Sequence, residues 1–485
     1  MLSKAGSIGD NIQFVFFVKN IAKFSLPTVV SALVAVLCIP LVSQIVDADD
    51  YAVINLFFDY GALIALLCQM GMGDAFLRFY SECDATGKRR LFTISLLVTI
   101  LCVIIFGFVS VALFPDAVSK VLFGKSDSTL LILLTIYVIG ISLYKFTTYR
   151  CRLDGNAFQY NVEQISFVVI NRIGYVVPFL VVGGVGAAVA FMAGFTLVVG
   201  MASLLKEPSP ILMLRGACRE RRVVKLLRYG LPTVLLAIST NLFLTLNKVL
   251  VANLSSFTEA GVFSLSVTIA NCFSFIPAAF NVYWAAYVYR NYGEKQHEIS
   301  RMHDCVMAIS IILVALIFLL QGVIYSFVGS QYEASQGYFM LVMLLPVQAF
   351  ISETTSYGIN LSGHTVWGTI AAGAALLVNG LLCVALVPFW GALGGAVAFA
   401  CGAVMLLLLR TIAGQRYYRT VVNPAKSLVS LALIVGLCAI NCVVYPIGWV
   451  RLVISVALFL FVGVVYKADL RYMAGHLGVV SQTLV

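Results

Sequence analysis

Long uninterrupted apolar runs recur from one end of this 485-residue chain to the other. Residues 91–113 and 305–328 hold no charged side chain at all. A helix crosses the hydrocarbon core of a bilayer with about 20 such residues. A membrane β-barrel would instead show segments of about 10 residues with alternating polarity. Because the runs are continuous, only helices can satisfy their own backbone N–H and C=O groups there. Composition agrees, with 61% hydrophobic and 11% charged residues, against about 25% charged in a soluble domain. These figures exclude a disordered chain, a coiled coil, a disulfide scaffold and a soluble fold.

The runs predict an all-α polytopic membrane protein with about 14 transmembrane helices. The spans are 24–46, 52–77, 91–113, 129–149, 161–182, 185–205, 229–252, 260–284, 305–328, 337–360, 366–388, 392–412, 427–446 and 449–466. Positive charge orients them. With the N-terminus inside, 26 of the 31 basic residues fall in inside segments and three (Lys120, Lys125 and Arg451) fall outside. Both termini are therefore expected in the cytoplasm, in a bacterial inner membrane. The net charge of +10 is mainly this topology signal, facing anionic lipid, and a nucleic-acid partner is not expected. Cys83, Cys151 and Cys218 fall in inside loops and the other nine cysteines in spans, so neither a disulfide framework nor a metal site is implied. The segment 1–23 lacks the apolar run of a signal peptide, and Ile8, Ile12, Phe16 and Ile21 could line an interfacial helix.

A repeat divides the chain. Lys23-Phe24-Ser25-Leu26-Pro27-Thr28-Val29 opens span 1, and Arg228-Tyr229-Gly230-Leu231-Pro232-Thr233-Val234 opens span 7, 205 residues later. Each proline suits the first turn of a helix, where its missing N–H has no partner to lose. Spans 2 and 8 also open alike, at Tyr51-Ala52-Val53 and Ala260-Gly261-Val262. Six spans separate the copies, so they run parallel. The expected organisation is a cytoplasmic segment 1–23, an N-lobe 24–205, a basic linker 206–228 and a C-lobe 229–412. A loop 413–426, two added helices within 427–466 and a tail 467–485 complete it. Parallel-repeat transporters hold substrate between their lobes.

Charge inside a span is costly and faces a bundle interior or an aqueous cavity. Arg172 lies near the middle of span 5, and reads either as an anion site or as a structural ion pair with Asp59 or Glu163. Lys248 lies toward the outer end of span 7 and either faces the cavity or snorkels to headgroups. Asp59 is two turns into span 2 and Glu353 is in the inner third of span 10. Asp74 and Arg78, spaced i, i+4, can pair on one helix face. Asp47, Asp49 and Asp50 read as a solvated turn before span 2. Pro40, Pro178, Pro277 and Pro346 are hinge candidates. Asn271, Asn281, Tyr283 and Trp284 offer polar and aromatic surface suited to a sugar, although an interfacial aromatic belt explains Tyr283, Trp284, Tyr287 and Tyr289 as well.

No P-loop, HExxH, GxSxG or kinase signature is present, and the outer loops are short. Transport is expected over catalysis, with no cofactor, driven by an ion gradient, the membrane potential or the substrate gradient.

Three passages carry a resemblance. They are Phe24-Ser25-Leu26-Pro27 through Pro40-Leu41-Val42 with Tyr51-Ala52-Val53; Gly71-Met72-Gly73-Asp74-Ala75-Phe76-Leu77-Arg78-Phe79-Tyr80; and Tyr229-Gly230-Leu231-Pro232 through Asn247-Lys248 to Ala260-Gly261-Val262-Phe263. The chain resembles the polysaccharide flippases of the MOP (multidrug/oligosaccharidyl-lipid/polysaccharide) exporter superfamily, which move O-antigen or capsule repeat units. The resemblance implies a V-shaped fold of two lobes around a cavity, and an undecaprenyl-pyrophosphate-linked oligosaccharide as substrate. Membrane lipids and polysaccharide polymerase machinery are the partners to expect. Arg172 and Lys248 suit pyrophosphate or acidic sugars, and Arg78 and Lys248 stand where the family commonly has a basic residue. Ser43-Gln44 stands where the family often has another, so a neutral sugar is compatible. The coupling ion, H+ or Na+, is left open. A cation-coupled multidrug exporter using Asp59 and Glu163 is the rival reading, and a membrane enzyme of polysaccharide assembly a more distant one.

Overall fold

The computed structural model describes residues 26, 27, 30–124, 126–205 and 222–472, and its elements there are helical. The interfacial-helix expectation for 1–23, the linker residues 206–221, Lys125 and the tail beyond 472 lie outside the described residues. The helices are α1 (Val30–Ile45), α2 (Ala48–Gln69), α3 (Met72–Phe79), α4 (Ala85–Leu113), α5 (Pro115–Phe123), α6 (Ser128–Leu153), α7 (Ala157–Gly183) and α8 (Val185–Leu205). They continue as α9 (Arg222–Leu254), α10 (Phe257–Cys272), α11 (Phe275–Asn291), α12 (Gln296–Tyr325), α13 (Leu344–Thr355), α14 (Val366–Tyr417), α15 (Pro424–Val444) and α16 (Gly448–Val465).

Ten helices among the described residues are long and apolar enough to cross a membrane, and a bent pair, 330–337 with 339–355, makes an eleventh. The protein is thus a multi-pass membrane protein, with fewer qualifying helices than the fourteen expected. The shortfall has definite places. At spans 1 and 7 the apolar stretches counted, Val30–Ile45 and Asn241–Leu254, are the parts that fall within the described residues, and the second is the end of the 33-residue α9. Spans 11 and 12 form one assigned helix of 52 residues, which would be about 78 Å long if straight. It is not straight. Gly391 leaves helical geometry at φ 53°, ψ −132°, a conformation open to glycine. Beyond it the chain returns, because a Cβ on Gly402 would lie 2.9 Å from the Asn379 side chain. Residues 23 apart on a straight helix would be separated by about 35 Å. The Glu259 carboxylate holds the turn by accepting the Ala392 N–H at 2.6 Å, at the start of the returning half.

The chain packs as two compact units, one holding residues up to Cys38 and Val53–Asn241, the other Ile39–Ala52 and Leu242 onward. In the first, α6 and α8 meet where a Cβ on Gly140 would strike the Leu197 backbone at 2.7 Å, a small-residue contact typical of membrane helices. Span 2, expected to run to 77, breaks at Met70 and Gly71, both with positive φ. A Cβ on Gly71 would sit 2.1 Å from the Gly230 carbonyl, so two of the family-like passages touch backbone to backbone. The core beside them includes Met72, Phe76, Phe92, Phe146 and Leu226. In the second unit, Gly261 approaches the Ala48 carbonyl in the same way, with 1.8 Å left for a Cβ. Asp49 there accepts a hydrogen bond from Thr258 at 2.6 Å, so the acidic turn is anchored as well as solvated. The last two helices also belong to this unit.

Candidate functional site

In the first unit, α7 begins as an α-helix and widens to π-helical turns at Ile170–Gly174 and Phe179–Gly183, on either side of Pro178. A π-bulge re-aims side chains and recurs at functional sites, and Arg172 stands on the first of these turns. Its neighbour Asn171 is buried. The Asn171 amide donates to the Phe167 carbonyl at 2.8 Å and its oxygen accepts the Tyr137 hydroxyl at 2.6 Å. Asp59, on α2, acts electrostatically on both Tyr137 and Tyr60. Asp59, Tyr137 and Asn171 are thus linked, and Arg172 follows Asn171 on the same turn. The guanidinium itself is half-buried and forms no hydrogen bond or ion pair among the described residues.

The alternative reading of Arg172, a structural ion pair with Asp59 or Glu163, finds no such pair among the described residues. Glu163 is buried and is satisfied otherwise, accepting from Gln159 at 2.9 Å and Thr148 at 3.1 Å. Arg78 does not pair with Asp74. Its carboxylate partner is Glu82, at 2.6 Å, with half of the arginine side chain exposed. Lys145, which sequence assigned to the cytoplasmic margin, is half-buried within α6 between buried Tyr144 and Phe146. Its position inside an apolar span was the available signal.

In the second unit, Glu353 on α13 accepts a hydrogen bond from Asn281 of α11, and its main-chain carbonyl accepts the Trp284 indole N–H at 2.9 Å. Arg410 of α14 acts electrostatically on the same carboxylate. Arg410 was counted only as an inside charge, so this grouping was missed. Trp284 is buried at 1% exposure and stacks on Phe280 and Tyr287. Neither an aromatic belt nor a sugar platform describes that side chain, and the side chain of Tyr283 lies outside the described residues. Lys248 is buried at 6% exposure beside buried Thr245 and Asn247, which rules out snorkelling. Asn271 is half-buried, where α10 ends before α11 begins.

The prolines differ among themselves. Pro40 sits inside unbroken α1. Pro277 and Pro346 each occupy the first turn after a helix break, and both line one small apolar cavity with Phe273, Ser310, Met343 and Phe350. Such breaks release backbone groups that neighbouring structure must satisfy.

No group of three or more His, Cys, Asp or Glu side chains suited to a metal occurs among the described residues. Residues 17–287, more than half of the sequence, match the polysaccharide biosynthesis protein family. The chain belongs to that family. Its fold is similar to that of the lipid II flippase MurJ in an inward closed conformation, with a TM-score of 0.68, 15% identity, and 92% of this chain and 99% of the other covered. It is similar also to an inward-facing multidrug resistance MATE transporter of the MOP superfamily, with a TM-score of 0.56, 16% identity, and coverage of 82% and 97%. No curated protein matches the sequence. The family member described here is thus an all-α membrane protein with the MOP transporter fold.

Proposed function

We propose that this protein is a flippase that carries an undecaprenyl-pyrophosphate-linked oligosaccharide repeat unit from the inner to the outer leaflet by alternating access. The observation that carries the reading is Arg172, a half-buried arginine without a carboxylate partner among the described residues, on a π-helical turn inside a membrane unit of a polysaccharide biosynthesis family member. An arginine in that setting is matched to a phosphate, which its planar fork meets with two parallel hydrogen bonds. The neighbouring Tyr137–Asn171 pair holds the turn in place, and Lys248 adds a second buried cation. Family membership and the fold shared with a lipid II flippase support a lipid-linked substrate.

Arg172→Ala is expected to abolish surface polysaccharide while the protein stays in the membrane. Wild-type polysaccharide in that variant would refute the role. Drug efflux that persists in the variant and depends on Asp59 would favour the multidrug-exporter reading, for which Glu163 is the weaker candidate because its carboxylate already accepts two hydrogen bonds.

A further inference from the structure

We propose that Arg451 forms a binding site for a lipid phosphate between α12 and α16. Arg451 lies in the first turn of α16, its N–H bonded to the Ile447 carbonyl at 3.2 Å. The guanidinium rests in a gap left open by two glycines. Its Nη2 and Nη1 would be 3.1 and 3.3 Å from a Cβ on Gly322 of α12, and Nη2 would be 3.7 Å from one on Gly448. A Cβ at Gly322 would make the guanidinium give way by a few tenths of an ångström, and a larger side chain would occupy the gap itself. Within that gap, Nε and Nη1 are buried and have no hydrogen-bond acceptor. No carboxylate among the described residues pairs with the group.

A buried donor without an acceptor is costly, and more so when charged. The protein does satisfy other polar groups close by in sequence. Gln321, next to Gly322 and fully buried, donates to Asn441 at 2.6 Å. Asn441 donates in turn to the carbonyls of Gln336 and Gly337, both at 2.9 Å. The network stops short of Arg451, and Gln321 keeps a buried, unpaired Oε1. Depth names the ligand. Helix α16 has 18 residues, about 27 Å in length, which barely spans the hydrocarbon core of about 30 Å. Its first turn therefore lies at headgroup level, where the largely exposed Trp449 fits an interfacial aromatic. The anion abundant at that depth is a phosphate, on the leaflet that the charge distribution assigns to the outside. A guanidinium with two unsatisfied donors suits its oxygens. The helix start adds to the field, since Ile447 supplies no side-chain cap and the N-terminal end of a helix favours anions. The phosphate has two sources, a phospholipid headgroup or the pyrophosphate of a polyprenyl carrier.

The test is native mass spectrometry of the full-length protein after delipidation, titrated separately with phosphatidylglycerol, with diacylglycerol of the same chains, and with undecaprenyl pyrophosphate. Wild type should bind at least one phosphate-bearing lipid and ignore diacylglycerol at that site. Arg451→Gln should bind the same lipid about tenfold or more weakly, the loss expected for a charge-assisted hydrogen bond. Tight binding of phosphatidylglycerol marks a headgroup site, and preference for undecaprenyl pyrophosphate marks a carrier site. Gly322→Val, which leaves the arginine in the sequence but fills its gap, should lose binding in parallel, and it carries the test should Arg451→Gln fail to fold. Arg451→Lys should fall between, having charge without the fork. Equal lipid binding by wild type and the folded variants would overturn the proposal. The outcome is separate from the Arg172 assay, because a flippase reading can stand or fall without this site.

Discussion

Two sets of charges in this protein have opposite surroundings. At one end of the second unit, Lys426 of α15 is met by Asp304 of α12 at 3.0 Å and by Asp469 at 2.8 Å, and it lies 3.9 Å from the Tyr466 ring centre. Beside it, buried His303 is held between Thr354 at 2.9 Å and Ser427 at 3.0 Å. In the first unit, Arg172 has a well-bonded neighbour in Asn171 but no partner of its own among the described residues. A buried charge with its counter-charges and hydrogen bonds in place is part of the scaffold. A charge held in position without them is where a ligand can contribute. The Lys426 cluster also explains why the last two helices, which fall outside the sequence repeat, pack as part of the second unit.

That contrast is most exposed to failure at Lys426. Lys426→Met would leave two carboxylates facing each other, and removal of one partner from a buried ion pair costs about 3–5 kcal/mol. Thermal unfolding in detergent should show a large drop, largely recovered when Asp304→Asn and Asp469→Asn are added. A single variant as stable as wild type would mean the cluster does not bind α12 to α15.

Smaller effects are expected where packing alone is at stake. Gly71→Val must push against the Gly230 backbone, and overpacking of this kind costs about 1–3 kcal/mol. Gly186→Ala, with nothing within 4 Å of the added carbon, is the matched control and should leave the unfolding temperature unchanged or slightly higher. Equal behaviour of the two variants would remove the close approach as the reason for these glycines.

Smaller again is the tie between the loop after α3 and the end of α6. The Tyr80 hydroxyl donates to Asp154 at 2.5 Å, and Tyr80→Phe should cost about 1 kcal/mol. Burial, reinforced by the bond to Asp154, pushes the phenol up to about 12. A group whose folded value is raised above its unfolded one stabilises fully at lower pH and loses that contribution as pH rises through the folded value. The difference between wild type and Tyr80→Phe should therefore be constant from pH 6 to 9 and shrink as pH rises from about 10, the free tyrosine value, through about 12. A difference that vanishes by pH 9 would show that another group controls the tie.

Much of the fold was legible because lipid forces it. Continuous apolar runs placed nearly every helix, and the Gly391 turn fell between two spans already separated at Phe389-Trp390-Gly391. The three family-like passages were also legible as sequence, but their reason was not, because Gly71 meets Gly230 and Gly261 meets Ala48 across long sequence separations. The break at Met70–Gly71 is invisible to hydropathy, since both sides of it are apolar. For the charges, sequence located Arg172, Asp59 and Glu353 but could not assign partners. Sequence left both Asp59 and Glu163 open as partners for Arg172, and packing gives Glu163 to Gln159 and Thr148. Arg410 and Lys426 were hidden by their position near helix ends, where a basic residue ordinarily only marks the inner face.

The smallest effect on stability is expected at Arg172. The side chain bonds to nothing among the described residues, so Arg172→Ala breaks no ion pair and leaves no carboxylate stranded. Its removal should shift stability by no more than about 0.5 kcal/mol, against several for Lys426→Met. Arg172→Lys keeps the charge and loses the planar fork, so stability should again be unchanged while polysaccharide export is impaired, if the ligand is a phosphate met by two bonds. Asn171→Ala makes the comparison sharper. It frees the Tyr137 hydroxyl and removes one of the donors to the Phe167 carbonyl, so it should lower stability by about 1–3 kcal/mol and misplace the guanidinium as well. A protein in which Arg172→Ala is as destabilising as Asn171→Ala would place Arg172 with Lys426, among the charges that hold the helices together.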